Sequence, residues 1–170
     1  NHPVLVGINS FPSAPDRSWA TFSTASAPDG TMRCGLYDLR GLHIITERTA
    51  PTCQIWQSPT QTAALIMTNA DNRFTFEFLH ADGTRYHRAS MGQPLGLRPP
   101  SDTGSIAWSP DDRHVIFAYQ TAGNNGLWAM HHIDTQRTGT DTVVAGNIRL
   151  IVNAMWDEGW NAAGDTFLFT

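Results

Sequence analysis

The feature that most constrains this chain is a motif of two short apolar runs joined by a turn, which occurs four times. The clearest copy is SIAWSPDDRHVIFAYQ, from Ser105 to Gln120, where a Ser-Pro-Asp-Asp turn separates the two runs. This layout is typical of two strands connected by a tight turn. Further copies begin at Phe11, Gln54 and Glu158, so one supersecondary unit recurs along the sequence.

Two landmarks show that the copies are regularly spaced. Four turn positions are separated by 44, 51 and 52 residues: Pro15, Pro59, Pro110 and Ala162. Three aspartates follow their turns at offsets of 23, 23 and 24 residues: Asp38, Asp82 and Asp134. A period of about 40 to 50 residues is typical of propellers and solenoids, and each repeat has the length of one four-stranded blade. We therefore predict a single β-propeller region over residues 1–170, with repeats at approximately 10–50, 51–100, 101–150 and, as a partial copy, 151–170.

The segments between the landmarks predict an all-β fold with essentially no long helix. Thr75 to Leu79 alternates polar and apolar residues, as a strand with one buried face does. No window of about 11 residues or more combines helical spacing of apolar residues with a capping box. No stretch approaches the roughly 20 apolar residues that cross a bilayer, so we expect the chain not to span a membrane.

The segment from Ala107 to Gly139 resembles the repeat of TolB-like, or WD-type-like, propellers. That family pattern is Trp-Ser-Pro-Asp-Gly, an apolar strand, a polar gap, Leu-Trp or Leu-Tyr, and an Asp-containing turn. Eight positions match it: Trp108, Ser109, Pro110, Asp111, Phe117, Leu127, Trp128 and Asp134. The fourth repeat keeps Trp160, Gly164 and Phe167 of the pattern. The resemblance covers nearly the whole chain, and it implies an architecture rather than an activity.

The number of repeats predicts an incomplete or partner-completed propeller. Closed propellers have roughly four to eight blades, whereas this sequence supplies three repeats and part of a fourth. In one alternative, the segment from His2 to Asn9 pairs with the last repeat and closes the ring. In the other, further sequence or a second chain adds the missing strands. We therefore expect a protein partner, or further copies of the chain, at the open blade edge.

The tryptophans are expected in the contacts between blades, and the cysteines are expected to be buried thiols or a disulfide. Trp56, Trp108 and Trp160 each precede their turn by two or three residues, which predicts packing between neighbouring blades. Cys34 and Cys53 are the only cysteines and lack the C-x-x-C spacing of metal or redox sites. Two buried thiols or a single disulfide both fit this pattern, and the spacing does not decide between them.

Charge and motifs exclude several classes of function. The 11 basic residues are scattered singly against 15 acidic residues, so no basic patch faces a nucleic acid backbone. We predict no catalytic residue, no metal and no cofactor, because G-x-S-x-G, G-x-G-x-x-G, P-loop and C-x-x-C-H motifs are absent. His131 and His132 are adjacent and face opposite sides of a strand. His114 lies beside Asp111 and Asp112, whose presence the turn already explains.

These observations predict a non-catalytic protein-binding or scaffold propeller, because blades present loops on a rigid base. The resemblance to TolB-like proteins implies protein contacts and an extracellular or periplasmic location. The loops between the second and third strands of each repeat are the expected contact surface. Their candidate binding residues are Asp29, Asp71, Asn72, Arg73, Asn124 and Asn125.

Two alternatives follow from the same repeats. Similar blades form the gating domain of prolyl-oligopeptidase-like peptidases and the body of some polysaccharide lyases. In the first alternative the chain is the propeller portion of such a larger hydrolase or lyase. In the second it is a structural subunit of a larger extracellular or membrane-associated assembly, whose neighbours bury the open blade edge.

Overall fold

The computed structural model describes residues 18–24, 26–71, 73–92, 106–120, 127–137, 142–149 and 159–167. Within these ranges the chain forms eleven strands and no helix, which confirms the all-β prediction. Nowhere in the same ranges does an apolar helix reach the length of a membrane span. The strands are β1 (Trp19–Ser23), β2 (Met32–Asp38), β3 (His43–Ala50), β4 (Thr52–Gln57), β5 (Ala63–Ala70), β6 (Arg73–His80), β7 (Arg85–Gly92), β8 (Ile106–Trp108), β9 (His114–Gln120), β10 (Leu127–Asp134) and β11 (Thr142–Arg149).

The strands form three antiparallel sheets in chain order. The first sheet is β1-β2-β3, the second is β4-β5-β6-β7 and the third is β8-β9-β10-β11. Within each sheet, strands that are consecutive in sequence are neighbours, which is the meander expected of propeller blades. The chain divides into two compact units, Asn1–Arg88 and Ala89–Thr170, and each is described by itself. The assignment of residues 1–170 to one propeller region stays a prediction.

The Ser-Pro turn of the third sheet explains why the repeat has its landmark there. The Ser109 N–H donates to the His114 carbonyl at 2.8 Å, and the Asp112 N–H donates to the Ser109 carbonyl at 3.0 Å. The Ser109 side-chain oxygen accepts from the His114 N–H at 2.8 Å. Asp112 takes a φ of 59°, in the left-handed region that tight turns require. Serine suits the first position of the turn, because its side-chain oxygen accepts a hydrogen bond from the N–H of His114 at the far end of the turn.

Two other turns repeat this structure. Residues 58–63 and 161–166 have the same two backbone hydrogen bonds, and Gln61 and Gly164 take φ values of 60° and 74°. Pro59, Pro110 and Ala162 thus occupy one equivalent position, as the spacing predicted. The remaining turn position, Pro15 of the first repeat, lies outside the described residues.

The first two sheets pack face to face around one apolar cluster. Its buried members are Trp19, Cys34, Leu36, Cys53, Ala64, Ile66 and Leu79. Cys34 on β2 and Cys53 on β4 form a disulfide with a Cα–Cα distance of 5.6 Å, so the disulfide alternative is the correct one. The bond joins one sheet to the next, and both cysteines are fully buried.

The second sheet is buried on both faces. Ala64 and Ile66 face the first sheet, and side chains alternate along a strand. Leu65 and its cross-strand partner Phe78 therefore lie on the opposite face, together with Met67 and Phe76. These side chains are also fully buried. A sheet with two apolar, buried faces is suited to a stack of blades rather than to a protein surface.

The fourth repeat packs on the third sheet. Trp160 and Phe167 contact the buried cluster of Ala107, Ile116 and Met130. The Trp160 Nε1–H donates to the Ala107 carbonyl at 3.3 Å, which satisfies its polar atom. Trp160 is therefore a packing residue, as predicted.

Two glycines in turns with the same hydrogen-bond pattern, one between β1 and β2 and one between β6 and β7, provide a test of the contact between the first two sheets. Gly30 and Gly83 take φ values of 81° and 82°. A Cβ on Gly83 would lie 2.7 Å from Cγ2 of Ile45 on the first sheet, whereas a Cβ on Gly30 would meet no atom within 4 Å. We expect Gly30→Ala to lower the free energy of unfolding by about 1 kcal/mol through backbone strain alone. Gly83→Ala should cost about 0.5 kcal/mol more, because Ile45 must move.

Urea unfolding of both variants and the parent protein measures this difference. Gly30→Ala is the matched control, since it shares the φ value and lacks the contact. Equal losses in the two variants would show that the turn at Gly83 does not pack on Ile45.

Candidate binding cleft

An open cleft lies between the first two sheets, at the end where β2 turns into β3 and β6 turns into β7. We call this end, with turn residues 38–43 and 80–84, the turn end. The cleft has a volume of about 460 Å³, within the range of roughly 300 to 1,000 Å³ that small-molecule sites occupy. Eight residues line it: Ser18, Trp19, Asp38, Arg40, His43, Ile45, Ala81 and Asp82.

One side of the rim is formed by the turn of the first sheet. The Asp38 Oδ1 accepts hydrogen bonds from the N–H groups of Gly41 at 2.9 Å and Arg40 at 2.8 Å. These bonds lower the pKa of Asp38, so its carboxylate is charged at neutral pH. The other oxygen, Oδ2, lies 3.5 Å from Nδ1 of His43. One carboxylate oxygen of Asp38 thus holds the turn, and the other lies at the rim beside the His43 imidazole.

Glycine inside this turn leaves room for the contact between Asp38 and His43. A Cβ on Gly41 would lie 2.6 Å from Oδ2 of Asp38 and 2.7 Å from Nδ1 of His43. Contacts that short do not occur between real atoms, so a larger residue would separate the two polar groups. The absence of a side chain at Gly41 keeps Asp38 and His43 together.

The opposite side of the rim is formed by the turn of the second sheet. The Asp82 Oδ1 accepts from the Thr84 hydroxyl at 2.6 Å and from the Thr84 N–H at 2.8 Å. The Thr84 hydroxyl, followed by its N–H, lowers the pKa of Asp82, so this carboxylate is also charged at neutral pH. Asp82 is exposed at the cleft.

Three of the other lining residues are apolar, and we call them the floor of the cleft. Trp19 is only 4% exposed and belongs to the cluster between the sheets. Ile45 and Ala81 are half-buried and pack against the same cluster. The cleft therefore combines an apolar floor with a rim that carries both negative and positive groups.

The three predicted binding residues that the structure describes do not line this cleft. Asp29, Asp71 and Arg73 are exposed at the opposite end of the first two sheets, which we call the loop end, with residues 24, 26–31, 70, 71 and 73. Asp29 serves its own turn there, because its Oδ1 accepts from the N–H and hydroxyl of Thr31. Asp71 takes a φ of 51° between β5 and β6. Asn72, Asn124 and Asn125 lie outside the described residues.

Sequence reasoning identified Asp38 and Asp82 as repeat landmarks and did not name them as site residues. The signal that could have found the cleft was their equal offset from the preceding turn. Aspartates at the same position of successive blades lie at the same end of neighbouring sheets. Arg40, His43 and Trp19 carried no comparable signal, because only the packing of the two sheets brings them together.

Two of the three histidines on β9 and β10, His114 and His132, form a hydrogen-bonded pair. The His114 Nδ1 and the His132 Nε2 are 3.0 Å apart, and the His114 ring stacks on Trp160 at 5.9 Å. Burial, followed by the neighbouring His114, lowers the pKa of His132. In the part of the chain that the structure describes, no group of three or more histidine, cysteine or carboxylate side chains could hold a metal ion.

The ion pair between Arg113 and Asp134 stabilises the structure of the third sheet. Arg113 donates two hydrogen bonds to Asp134, at 3.1 and 3.0 Å. These bonds lower the pKa of Asp134 to about 2. Asp134 also accepts from the Gln136 N–H at 3.0 Å, so this landmark aspartate holds together its own hairpin and the preceding turn.

Comparison with known proteins identifies the fold. No protein-family model and no curated protein matches the sequence. Among solved structures, the β-propeller domain of the Trilobed protease from Pyrococcus furiosus, described as having an open velcro topology, is similar with a TM-score of 0.53 and 12% identity. The match covers 79% of this chain and 42% of that one.

A second similar structure is a functionally unknown protein from Desulfotomaculum acetoxidans, with a TM-score of 0.52 and 15% identity. That match covers 92% of this chain and 53% of the other. The chain thus spans about half the length of the structures it matches. Together with the open meander sheets, these likenesses confirm the predicted β-propeller fold.

Proposed function

We propose that this chain is part of an extracytoplasmic β-propeller that binds a partner, and that the cleft at the turn end is its binding site. The observation that carries the proposal is the cleft itself, where the apolar floor meets the charged groups of Asp38 and Asp82. Both carboxylates use one oxygen to hold their turns. A rim built on such hydrogen-bonded turns is preorganised, which favours binding.

The disulfide supports an extracellular or periplasmic location. Disulfides persist in oxidising compartments and are rare in reducing ones. Cys34 and Cys53 join two sheets through a fully buried disulfide. The contact between these sheets therefore includes a bond that forms under oxidising conditions. The resemblance of the repeats to TolB-like propellers favours the same location and a protein partner.

The open architecture also supports association at the sheet edges. In the part of the chain that the structure describes, three sheets and the fourth repeat are fewer blades than most closed propellers contain. Further sequence, a protein partner or further copies of the chain would supply the missing blades, the latter two by strand addition. In this arrangement the chain is a scaffold or structural subunit of a larger assembly.

A second candidate function is the propeller portion of a larger hydrolase. It is supported by the similarity to the propeller domain of a protease, of which this chain spans 42%. In this case the catalytic residues belong to another domain. Measuring the mass of the native polypeptide and assaying it for peptidase activity tests this candidate directly.

Site-specific photo-crosslinking in the source cells tests the main proposal. A photoreactive residue is placed at Leu42, whose side chain is exposed in the same turn as Asp38, or, in a separate protein, at Asp71 at the loop end. We expect a partner adduct from position 42 and none from position 71. Purified partner should then bind the Asp38→Asn/Asp82→Asn protein about tenfold more weakly. Asparagine keeps the side-chain oxygen that each turn uses, so the substitutions remove charge and preserve the fold.

The Asp29→Asn protein tests the loop end, because Asp29 accepts from Thr31 just as Asp82 accepts from Thr84. Weaker partner binding by this variant, with binding by the cleft variant unchanged, would transfer the binding surface to the loop end and overturn the cleft proposal.

A further inference from the structure

We propose that the cleft binds a short peptide with free amino and carboxyl groups and an apolar side chain. This inference rests on the proposed function, since it assigns a ligand class to the same cleft. It follows from three features of the lining: two carboxylates, a basic pair, and an apolar floor.

The carboxylates select an amino group. Asp38 and Asp82 line the cleft from two different sheets, and each commits its Oδ1 to the turn that carries it. Neither turn uses the Oδ2 atom of its aspartate; the Asp38 Oδ2 lies 3.5 Å from Nδ1 of His43, and the charge of Arg40 also acts on Asp38. An ammonium group is the complement of two such carboxylates, because it donates three charge-assisted hydrogen bonds.

The basic pair selects a carboxylate. Arg40 follows Asp38 by two residues, and both it and His43 line the cleft from the turn of the first sheet. The His43 side chain is 63% exposed, so solvent and ligands reach it. A guanidinium group binds carboxylates through paired N–H donors, and imidazole adds a further donor. Both signs of charge thus lie on one rim, as a zwitterion requires.

The floor selects an apolar side chain. Trp19, Ile45 and Ala81 lie below the rim and belong to or contact the cluster between the sheets. A simple inorganic ion would leave this apolar surface in water, and a purely apolar ligand would desolvate the charged rim without compensation. A zwitterion that carries an apolar group satisfies both parts of the cleft.

The two turns of the rim provide reporters for binding. Gly41 lies against Asp38 and His43, and Gly83 lies against Ile45. Because the Gly41 N–H donates to Asp38 and Gly83 directly follows Asp82, ligand contacts to these carboxylates should change the surroundings of both backbone amides. Their N–H resonances therefore report occupancy of the cleft.

The experiment is a titration of the whole chain with the dipeptide leucyl-leucine, followed by NMR and calorimetry. The same titration is done with its N-acetylated form and with its C-amidated form. We expect leucyl-leucine to shift the Gly41 and Gly83 amide resonances, and each blocked form to bind about tenfold more weakly.

Charge variants assign each end of the ligand. The Asp38→Asn/Asp82→Asn protein should bind leucyl-leucine about tenfold more weakly and no longer distinguish it from the acetylated form. Arg40→Gln should lose discrimination against the amidated form in the same way. Glu47→Gln is the control, since Glu47 pairs with Arg33 away from the cleft and its loss should leave all three affinities unchanged.

Equal binding of the free and blocked dipeptides would overturn the ligand class and leave the cleft as a binding site. The ligand class would also fall if leucyl-leucine produced no shift at Gly41 and Gly83 while the cross-linked partner still required Asp38 and Asp82. If the dipeptide bound as expected but the partner did not need the cleft, only the proposed partner function would fail.

Discussion

Removal of the disulfide between Cys34 and Cys53 is expected to lower the free energy of unfolding by about 3 kcal/mol. The two cysteines are 19 positions apart in sequence, and a cross-link over such a loop restricts the unfolded chain by roughly this amount. The bond also joins β2 of the first sheet to β4 of the second, within their shared apolar cluster. Urea unfolding of the oxidised protein, the reduced protein and the Cys34→Ala/Cys53→Ala variant measures the effect.

The reduced protein serves as the control for packing. It keeps both sulfur atoms in the cluster and loses only the cross-link, whereas the double alanine variant also leaves a small cavity. We therefore expect the reduced protein to be less stable than the oxidised one and more stable than the variant. Equal stability of the oxidised and reduced proteins would contradict the role that we assign to the bond.

Local chemistry explains why the repeat and its turns could be predicted. The hydrogen bonds of Ser109 and Asp112 stay within six residues, 109–114. Their pattern is therefore visible in the sequence. The strand alternation of Thr75 to Leu79 is also local, and β6 forms there. Fold class and the equivalence of Pro59, Pro110 and Ala162 depend on such local rules.

The pairing of the cysteines and the position of the cleft depend on contacts between sheets. Cys34 meets Cys53 only because β2 packs against β4, and the number of residues between them is compatible with free thiols too. The cleft has the same origin. Asp38 and His43 come from one hairpin and Asp82 from another, and no rule of local structure brings two hairpins to one opening.

The loop residues follow from their place between the second and third strands of each repeat, and their role in binding stays a prediction. Asp29 shows that such a carboxylate also has a structural use, because it accepts from the N–H and hydroxyl of Thr31. Asp82 makes the same two hydrogen bonds and nevertheless lines a cleft. What separates the two aspartates is the neighbouring sheet, which is close to Asp82 through Gly83 and Ile45.

A buried carboxylate forms the second strong link between the first two sheets. Glu77 on β6 lies 2.5 Å from Nε of Arg48 on β3 and 2.9 Å from Nη1 of Arg85 on β7. Its side chain is 9% exposed, whereas those of Arg48 and Arg85 are 34% and 47% exposed. Burial raises the pKa of Glu77, but the hydrogen bonds from Arg48 and Arg85 outweigh burial, and the pKa lies below its ordinary value.

Glu77→Gln is expected to lower the free energy of unfolding by about 2 kcal/mol at neutral pH, because Arg48 and Arg85 lose the charge that compensates them. Breaking a fully buried ion pair costs about 3 to 5 kcal/mol, and the partial exposure of both arginines reduces this value. Glu47→Gln is the matched control. Glu47 and Arg33 form an exposed pair, so its loss should cost at most about 1 kcal/mol.

The dependence on pH distinguishes loss of charge from loss of packing. The pKa of Glu77 is lower in the folded protein than in the unfolded chain, so its ionised form stabilises the fold above the unfolded value of 4.5. That contribution disappears as the pH falls through the folded pKa. The difference in stability between the parent protein and Glu77→Gln should therefore be constant from neutral pH down to about pH 5 and shrink below it. A difference that persisted unchanged at pH 3 would mean that Glu77 holds the two sheets together by shape and hydrogen bonding, and that its negative charge contributes nothing to their contact.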